Sequence, residues 1–387
     1  MDTSVSQLIN AEKIPHTLIV DLSDNFGGTN ARILALMKNL PVDSIGLATI
    51  SGSLIASELE QSGYFVHRVA DNKFDPRIPV RIAKIIRSHG YQVIDTQNPQ
   101  SKLWGSVAAL ISGASLVSTL NSWYMNEHPK FSLRWFVYSA IELITNIALS
   151  RYIVVSREIL NAMVRIGIPE NKIDLVYNAI NIKAFEFSDE RNQWLQKYQL
   201  PTNAILCVAA GRLSWAKGHD TLIKAFELLQ ADENRVYCLI AGEGELWSDL
   251  NKQINEAGLS GRLILLGHLS RLEVLSLINA SDIFVMPSRT EGTPIALLEA
   301  AALRKPILAS RVGGIPELVS DESECLLVPP DNASELVKGI QRLIYENGLT
   351  EYLVENAYRK VMTDYTLDTQ VRSTIRSYNK ALQVNTG

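Results

Sequence analysis

The chain has 387 residues, enough for two domains, and its 47% hydrophobic and 20% charged residues are typical of a globular protein rather than a small disulfide-stapled scaffold. With 37 basic and 41 acidic side chains the net charge is -4, which excludes a general electrostatic attraction to nucleic acid. The three cysteines, Cys207, Cys238 and Cys325, form no CxxC pair and favour a reducing compartment.

Short apolar and β-branched runs alternate with stretches of helical period, which is the pattern of parallel sheets covered by helices on both faces. The predicted strands are 17–22, 44–48, 65–69, 93–96, 115–120, 151–156 and 173–176 in the first half, and 204–209, 235–241, 263–266, 283–287, 307–309 and 325–328 in the second. Helices are predicted at 31–39, 78–88 and 220–229, with a long helical stretch at 349–382. One sheet of so many strands would be unusually wide, so we predict an α/β fold of two doubly wound domains.

The polar and charged run 188–192 interrupts this pattern and places the domain boundary within 178–201. We assign residues 1–183 to an N-terminal domain and 184–366 to a C-terminal domain. Residues 1–13 lack the basic start and apolar run of a secretory signal.

No membrane-spanning helix is expected, because Arg134, Glu142 and Arg151 interrupt the most apolar stretch. The protein is therefore expected to be cytoplasmic. Peripheral contact with the inner face of the membrane is a secondary hypothesis that rests on mixed aromatic and basic residues at 123–125 and 131–138. A helix packed in the core or gripping a soluble acceptor is the favoured alternative for these residues.

In a doubly wound sheet the ligand crevice lies beyond the carboxyl ends of the strands, where helix N-termini present free N–H groups. The first such turn contains Gly27 and Gly28, and Thr29 or Asn30 is predicted to cap a helix starting near Ala31. By itself this turn fits a plain tight turn as well as a phosphate or acceptor loop. Its spacing is not GxGxxG, so a dinucleotide fingerprint is absent.

The second turn, 211–218, carries Arg212 and Lys217, a guanidinium and an ammonium that together can neutralise a diphosphate without a metal. The alternative is a pair of solvated surface charges. A third glycine turn, 242–244, could line a nucleotide pocket or simply cap a helix. A fourth, 312–317, is a second candidate phosphate cradle.

The strongest constellation is 287–300, where Thr293 and Pro294 predict an N-cap and a first helical position. Glu291 then lies before the helix and Glu299 about two turns into it. This spacing suits two separated sets of hydroxyl groups better than acid–base work at one atom. Because its neighbours are apolar, Glu299 is expected to have a partner.

Taken together, these features resemble glycosyltransferase family 4. The resemblance is carried by Arg212 with Lys217 and Gly218, the turn 242–244, Glu291-Gly292 with Glu299 eight residues later, and Gly313-Gly314 followed by Glu317. It covers essentially the whole chain. It implies retaining enzymes of the GT-B fold, with two Rossmann-like domains facing each other across a cleft, the C-terminal one holding the nucleotide sugar and the other mostly the acceptor. In such folds the last helix, here about 367–387, packs back on the first domain.

The resemblance also implies roles for single residues. Arg212 and Lys217 would bind the donor diphosphate, Glu299 the ribose and Glu291 the donor sugar, and Glu291, Arg212 and Lys217 are the catalytic candidates. The implied donor-binding residues are Gly27, Gly28, Gly211, Arg212, Lys217, Gly242, Gly244, Glu291, Gly292, Thr293, Pro294, Ile295 and Glu299. Asn121, Thr29 and Asn178 are candidates for the acceptor site or reaction centre.

Three positions depart from the family pattern. Asn121 stands where the family often has a histidine linked to the donor sugar, and asparagine cannot carry a proton at neutral pH. Ala179 stands where a glycine is common, and Arg304 stands where a glycine usually ends a helix.

The expected activity is that of a retaining glycosyltransferase that moves a hexose-type sugar from a nucleotide diphosphate sugar to a saccharide or lipid-linked saccharide, in polysaccharide or glycolipid biosynthesis. UDP is the first expectation for the nucleotide, on family frequency. No cofactor and no metal are expected, since the six histidines show no ligand spacing and no Asp-x-Asp is present. The rival readings are a sugar-nucleotide epimerase or hydrolase on the same fold and a catalytically degenerate partner subunit.

Overall fold

The computed structural model describes residues 13–23, 28–123, 144–146, 148–180, 190–229 and 233–384. The chain forms two compact units, Met1–Ala179 together with Thr366–Gly387, and Ile180–Tyr365. The chain leaves the first unit inside the region 178–201 and returns to it at residue 366.

The first unit is built on a sheet of seven parallel strands. They are β1 (Thr17–Asp21), β2 (Ile45–Ile50), β3 (Phe65–Ala70), β4 (Val93–Thr96), β5 (Ser115–Leu120), β6 (Leu149–Val154) and β7 (Ile173–Leu175). Their order is β3-β2-β1-β4-β5-β6-β7. Since β1 pairs with both β2 and β4, the winding reverses between β1 and β4, and a ligand crevice is expected at their carboxyl ends.

Helices connect these strands. They are α1 (Gly28–Met37), α2 (Ala56–Gln61), α3 (Ile78–His89), α4 (Pro99–Ser112) and α5 (Arg157–Arg165). The start and end of α4 follow from its sequence: the Asn98 side chain accepts a hydrogen bond from Ser101 N at 2.8 Å, and Gly113 ends the helix with a φ of 81°. The central strands are buried along their whole length, which explains their almost continuous apolar sequences.

The second unit repeats this plan with six parallel strands. They are β8 (Ile205–Ala210), β9 (Val236–Ala241), β10 (Leu263–Gly267), β11 (Ile283–Met286), β12 (Ile307–Ser310) and β13 (Leu326–Val328). Its helices are α6 (Arg191–Lys197), α7 (His219–Leu229), α8 (Trp247–Glu256), α9 (Arg271–Ala280), α10 (Ile295–Ala302), α11 (Ile315–Leu318), α12 (Ala333–Tyr345) and α13 (Leu349–Asp364). The order β10-β9-β8-β11-β12-β13 places the reversal between β8 and β11. The predicted α/β class with two doubly wound sheets is confirmed.

The last helix, α14 (Leu367–Val384), belongs to the first unit. Its Val371 and Ile375 join the core that contains Ile19 of β1. Tyr378 packs with Val93 and Val117, and its hydroxyl donates to Asp95 of β4 at 2.7 Å. The long helical stretch predicted at 349–382 is therefore made of two helices, α13 and α14, which belong to different units.

Two predicted helix starts were wrong by a few residues. Helix α1 begins at Gly28, not near Ala31, and the Asn30 side chain donates to Asp21 at 3.3 Å, so Asn30 is not the cap. Helix α10 begins at Ile295, and Pro294 rather than Thr293 is its N-cap, with an extended ψ of 113°. A proline φ fits the N-cap as well as the first helical position, so the Thr-Pro pair alone could not distinguish them.

No helix among the described residues is long and apolar enough to cross a membrane.

Candidate functional site

The loops that follow β8 and β11 meet at the reversal point of the second sheet. Residues Trp215–Lys217 form one turn of 3-10 helix after β8. Arg289, in the loop after β11, donates its backbone N–H to the carbonyl of Ala216 at 2.8 Å. The predicted loop 211–218 and the loop before α10 are therefore joined through their backbones.

Lys217 and Glu291 form an ion pair across these two loops. Lys217 Nζ lies 2.6 Å from Glu291 Oε1, and Ser288 Oγ donates to the same oxygen at 2.7 Å. The Glu291 side chain is 6% exposed and that of Lys217 is 27% exposed, so the ammonium faces solvent more than the carboxylate does. Because its ammonium group is partly exposed, Lys217 can bind an anionic ligand from solvent in place of the Glu291 carboxylate.

Arg289 holds the loop that carries Lys217. Its guanidinium lies 2.6 Å from Asp220 Oδ2 and 2.6 Å from Asp331 Oδ1, and it donates to the carbonyl of Trp215 at 2.8 Å. The Trp215 ring lies 5.3 Å from the guanidinium carbon. Because both of its charged partners are carboxylates, Arg289 positions the loop rather than adding a free positive charge.

Glycines let neighbouring loops approach this pair closely. A Cβ on Gly242 would lie 1.9 Å from the carbonyl oxygen of Gly211, and the φ of Gly242 is 143°. A Cβ on Gly313 would lie 1.9 Å from the carbonyl oxygen of Glu291, where Gly314 N also donates at 3.1 Å. The turn 312–317, predicted as a phosphate cradle, therefore supports the backbone of Glu291.

Glu299 lies on α10 and is buried beside a partner that the sequence analysis did not identify. Its Oε1 is 2.8 Å from Nη2 of Arg271, the first residue of α9, and the contact is ionic rather than a hydrogen bond. Burial raises the pKa of Glu299, and the Arg271 charge partly offsets that rise. The expected partner thus exists, on the neighbouring helix.

Arg212 and His219, two other basic residues that follow β8, differ in exposure and in charge. Arg212 is exposed and makes no ion pair with any residue that the structure describes. His219, at the start of α7, is buried, and this burial, together with the nearby Lys217, lowers its pKa to about 4. The imidazole is therefore neutral at physiological pH, and the positive charge of this loop comes from Arg212 and Lys217.

At the corresponding edge of the first sheet, neutral polar groups surround the buried carboxylate of Asp21. Asp21, at the end of β1, accepts hydrogen bonds from Ser23 Oγ at 2.7 Å, Asn98 Nδ2 at 2.8 Å and Asn30 Nδ2 at 3.3 Å. Burial raises the pKa of Asp21, and these donors oppose the rise. Thr29 lies in the first turn of α1, partly buried.

Asn121 and Asn178 lie at the ends of β5 and β7. Asn121 Nδ2 donates to both the backbone carbonyl and the side-chain oxygen of Gln97 at 3.3 Å. Asn178 is 4% exposed, and its Oδ1 accepts from Arg32 Nη1 at 2.7 Å. A buried arginine is the partner of Asn178, which points to a structural contribution where the chain leaves the first unit.

Family models match both halves of the chain. The model for glycosyl transferases group 1 matches residues 190–360, and the model for Glycosyltransferase Family 4 matches residues 47–184. The chain belongs to glycosyltransferase family 4. The predicted family is therefore confirmed. The match at 190–360 lies within the second unit, and the match at 47–184 lies in the first unit except for its last five residues.

Several curated proteins resemble this family 4 chain. A glycosyltransferase of Methanocaldococcus jannaschii is 27% identical over 219 residues, 56% of each chain. The chain spans about half the length of the first two curated relatives it matches. The UDP-Gal:alpha-D-GlcNAc-diphosphoundecaprenol alpha-1,3-galactosyltransferase of Escherichia coli is 22% identical over 367 residues, 92% of this chain and 93% of the relative.

A solved structure shares the fold. HepE of Anabaena, solved in complex with UDP and glucose, superposes with a TM-score of 0.84 at 22% identity, over 95% of this chain and 100% of its own. At this identity the likeness establishes the fold alone.

The structure brings together only part of the predicted site. Gly211, Lys217, Gly242, Gly244 and Glu291 lie in loops that contact one another. Gly292, Thr293, Pro294 and Ile295 continue from Glu291 and are buried, and Glu299 is held separately by Arg271. Thr29, Asn121 and Asn178 belong to the first unit, where Gly28 begins α1. Gly27 and most of the aromatic segments at 123–125 and 131–138 lie outside the described residues.

Two positioning residues, Arg289 and Arg271, were not predicted from the sequence. Arg289 lies within the segment 287–300, but its aspartate partners Asp220 and Asp331 are 69 and 42 residues away in sequence. Arg271 follows Ser270, whose capping box with Glu273 is readable in the sequence and could have placed Arg271 at a helix start. Among the described residues, no group of three or more His, Cys, Asp or Glu side chains could hold a metal ion.

Proposed function

We propose that this family 4 protein transfers a hexose-type sugar from a UDP-sugar to a saccharide or lipid-linked saccharide, with retention of the anomeric configuration and without a metal ion. The observation that carries the proposal is the Lys217–Glu291 pair at the reversal point of the second sheet, in a loop that also carries Arg212, which is exposed and makes no ion pair with a described residue. Ligand sites of doubly wound sheets lie at this point.

Diphosphate binding is proposed for Lys217 and Arg212. Lys217 would release Glu291 and contact the phosphate oxygens, while the exposed Arg212 would close on them from the other end of the loop. Two cations can offset the charge that develops on the leaving diphosphate, which is electrostatic stabilisation and not Lewis-acid catalysis.

Glu291, once released, is a buried acceptor for the hydroxyl groups of the donor sugar. Glu299 is proposed to accept from the ribose hydroxyl groups. The Gly313 contact and Ser288 keep the Glu291 backbone and side chain in place during this exchange. Gly27, Gly28, Gly292, Thr293, Pro294 and Ile295 remain proposed donor contacts through their backbone.

In the proposed reaction the bond between the anomeric carbon and the diphosphate oxygen breaks, and a bond from the acceptor oxygen to the same face of that carbon forms. The acceptor hydroxyl proton passes to the departing phosphate oxygen. No protein nucleophile is required, and the cations lower the barrier by stabilising the leaving group.

The comparisons support the choice of substrates. The Anabaena structure holds UDP and glucose, and the Escherichia coli relative acts on a diphosphoundecaprenol-linked sugar. We therefore place UDP-sugars first among donors and a diphospho-lipid-linked saccharide first among acceptors, with peripheral membrane contact at the cytoplasmic face.

A face of the first unit supports that membrane contact. Helices α3 and α4 lie side by side and contain no acidic residue. Val80 and Leu110 on their outer surfaces are 62% and 70% exposed, and the groove between the helices also contains Lys84 and Arg87. Exposed apolar groups among unopposed cations fit an anionic bilayer.

Thermal-shift measurements test which nucleotide the protein binds. The wild type and Glu299→Ala are compared against UDP, GDP, ADP and their sugar conjugates, with the exposed Glu256→Ala as the matched control. A ligand at a hundred times its dissociation constant adds about 2.7 kcal/mol of stability. A shift with uridine nucleotides that Glu299→Ala loses and Glu256→Ala keeps supports the proposal. No shift with any nucleotide would favour the degenerate subunit.

The dependence of UDP release on an acceptor tests whether the protein transfers the sugar. Release of UDP from UDP-galactose or UDP-glucose should require an N-acetylglucosamine diphosphate that carries a short lipid. UDP release or sugar epimerisation at the same rate without any acceptor would instead favour the hydrolase or epimerase.

Sedimentation with lipid vesicles tests whether the surface formed by α3 and α4 binds a membrane. Binding to vesicles with phosphatidylglycerol should fall about fivefold or more in Lys84→Glu, since one basic residue near such a surface contributes about 1 kcal/mol. The exposed Lys252→Glu on α8 is the control and should bind as the wild type does. Equal binding by both variants would exclude this face.

A further inference from the structure

The turn that carries Lys217 is held only weakly by its own residues. It is one turn of 3-10 helix, Trp215–Lys217, and none of its three residues is buried. Within it, Lys217 N donates to Ser214 O at 3.1 Å and Gly218 N donates to Trp215 O at 3.3 Å. Short 3-10 turns have poor hydrogen-bond geometry, so the conformation of this turn depends on contacts with neighbouring loops.

The loop after β11 contacts this turn on both sides of Lys217. Before Lys217, the backbone N–H of Arg289 donates to Ala216 O at 2.8 Å. After Lys217, the two loops are so close that a Cβ on Gly218 would lie 2.1 Å from Pro287 O. The backbone around Lys217 is therefore held on both sides, while 27% of its side chain remains exposed.

The Arg289 guanidinium adds a third contact and uses each of its nitrogens. Nη1 donates to Trp215 O at 2.8 Å, Nε lies 2.6 Å from Asp331 Oδ1, and Nη2 lies 2.6 Å from Asp220 Oδ2. A planar guanidinium directs its donors at fixed angles, which a lysine ammonium does not. The two aspartates therefore set the plane of the guanidinium, and that plane directs Nη1 toward the turn.

We propose that Asp220, Arg289 and Asp331 form an arginine clamp that positions Lys217, so that Arg289 controls the affinity for the donor diphosphate without contacting it. The inference rests on the proposed function, in which Lys217 binds the phosphate oxygens, and adds Arg289 to it as a positioning residue. A lysine held in place before the ligand arrives loses less conformational freedom on binding, which favours affinity.

The sign of one effect separates positioning from simple electrostatics. Asp331→Asn removes a negative charge, so electrostatics alone predicts tighter binding of UDP. If Asp331 orients Arg289, the same substitution weakens UDP binding, by about threefold because one partner of an exposed ion pair is lost. Asparagine adopts the left-handed φ of 57° found at Asp331, so the variant keeps the backbone of this exposed residue.

Substitutions of Arg289 separate its charge from its geometry. Arg289→Lys keeps the charge and loses the planar fork, and we expect UDP binding to weaken about fivefold, against about tenfold in Arg289→Met. Uridine, which has no phosphate, should bind within about twofold of the wild type in each variant. Arg235→Met changes an arginine at the amino end of β9, on the opposite edge of the sheet, and is the matched control. Calorimetry measures UDP and ligand-observed NMR measures uridine.

A double-mutant cycle tests whether Arg289 acts through Lys217. In a Lys217→Ala background, Arg289→Met should change UDP affinity by less than about twofold, because the group that it positions is gone. A further tenfold loss in that background would overturn the proposal. Kinetics with a UDP-sugar add a second criterion, since Arg289→Lys should raise KM, whereas a smaller fraction of folded protein would lower kcat and leave KM unchanged.

Limited proteolysis tests the position of Lys217 without any ligand. Trypsin cleaves after lysine where the chain opens locally, so cleavage between Lys217 and Gly218, identified by mass spectrometry, should be about tenfold faster in Arg289→Met than in the wild type or Arg235→Met. Equal cleavage rates, or tighter UDP binding by Asp331→Asn, would overturn the arginine clamp. Faster cleavage together with a wild type that binds no uridine nucleotide would support the positioning of Lys217 and contradict the proposed function instead.

Discussion

The two sheets reverse at the same topological point, yet the side chains at the two reversal points differ in charge. At β8 and β11 lie Lys217, Arg212 and Glu291, and the first two are at least partly exposed. At the end of β1 the described amides and hydroxyls gather around the buried Asp21. One fold thus provides an edge with partly exposed cations and an edge where amide and hydroxyl groups surround a buried carboxylate.

The difference shows that the topology of the sheet determines where a ligand site lies, whereas the residues of the loops determine which chemical groups that site can bind. Cations that can leave their carboxylate suit a diphosphate, whereas amides with fixed orientations suit the hydroxyl groups of a sugar. Four substitutions, from the largest expected effect to the smallest, test what single side chains contribute in the two units.

Lys217→Ala should reduce kcat/KM by about a thousandfold, because it removes a cation from the leaving group and leaves Glu291 as a buried unpaired acid. UDP affinity should also fall and lose part of its dependence on salt. Steady-state kinetics and calorimetry at two salt concentrations measure these effects. Lys252→Ala, an exposed lysine on α8, is the control, and an equal loss in both variants would argue against a role for the edge with partly exposed cations.

Tyr378→Phe should lower the free energy of unfolding by about 1.5–3 kcal/mol at pH 8, since it removes a hydrogen bond to the buried Asp95 carboxylate. The pKa of Asp95 in the folded protein is raised by burial to about 6 from 3.8, so protonation of Asp95 contributes to the free energy of unfolding below pH 3.8, and this contribution is lost as the pH rises through 6. Below pH 6 the carboxyl is neutral and its hydrogen bond with Tyr378 is weaker. The loss of unfolding free energy in Tyr378→Phe should therefore become smaller below pH 6. Denaturant titration measures it, with the exposed Tyr352→Phe as a neutral control.

Arg271→Met should make UDP binding dependent on pH. Burial raises the pKa of Glu299, and without the nearby guanidinium that pKa rises further, so the carboxyl of the variant binds a proton at a higher pH than that of the wild type. We expect UDP binding by the variant to weaken as the pH falls, more than binding by the wild type does, and to recover as the pH rises. Arg311→Met, an exposed arginine, should show no such trend, and a flat profile in Arg271→Met would separate Glu299 from ribose binding.

Arg304→Gly should change stability by less than about 1 kcal/mol. Arg304 has a φ of 55°, a left-handed conformation that glycine adopts without strain. The gain is opposed by loss of the exposed ion pair with Glu355 and of the contact with the Tyr358 ring at 3.7 Å. A thermal shift of several degrees in either direction would show that this departure from the family pattern affects more than a helix end.

Local sequence predicted most of the fold because strands and helices leave short-range signals. The run at 93–96 and the run at 115–120 became β4 and β5 without change of bounds. The helix starts at Gly28 and Ile295 were predicted less well, because the choice of cap depends on contacts with Asp21 and on the ψ of Pro294. Those quantities are set by the neighbouring loops.

The sequence by itself determined the class of the fold, the family, and the loops in which Arg212, Lys217, Glu291 and Glu299 would be found. Only the tertiary structure decided their partners. Lys217 and Glu291 are 74 residues apart in sequence, and Asp95 and Tyr378 are 283 apart. Periodicity reports the contacts of a residue with its near neighbours in sequence, whereas an ion pair or an oriented amide depends on which distant segments the packed core brings together.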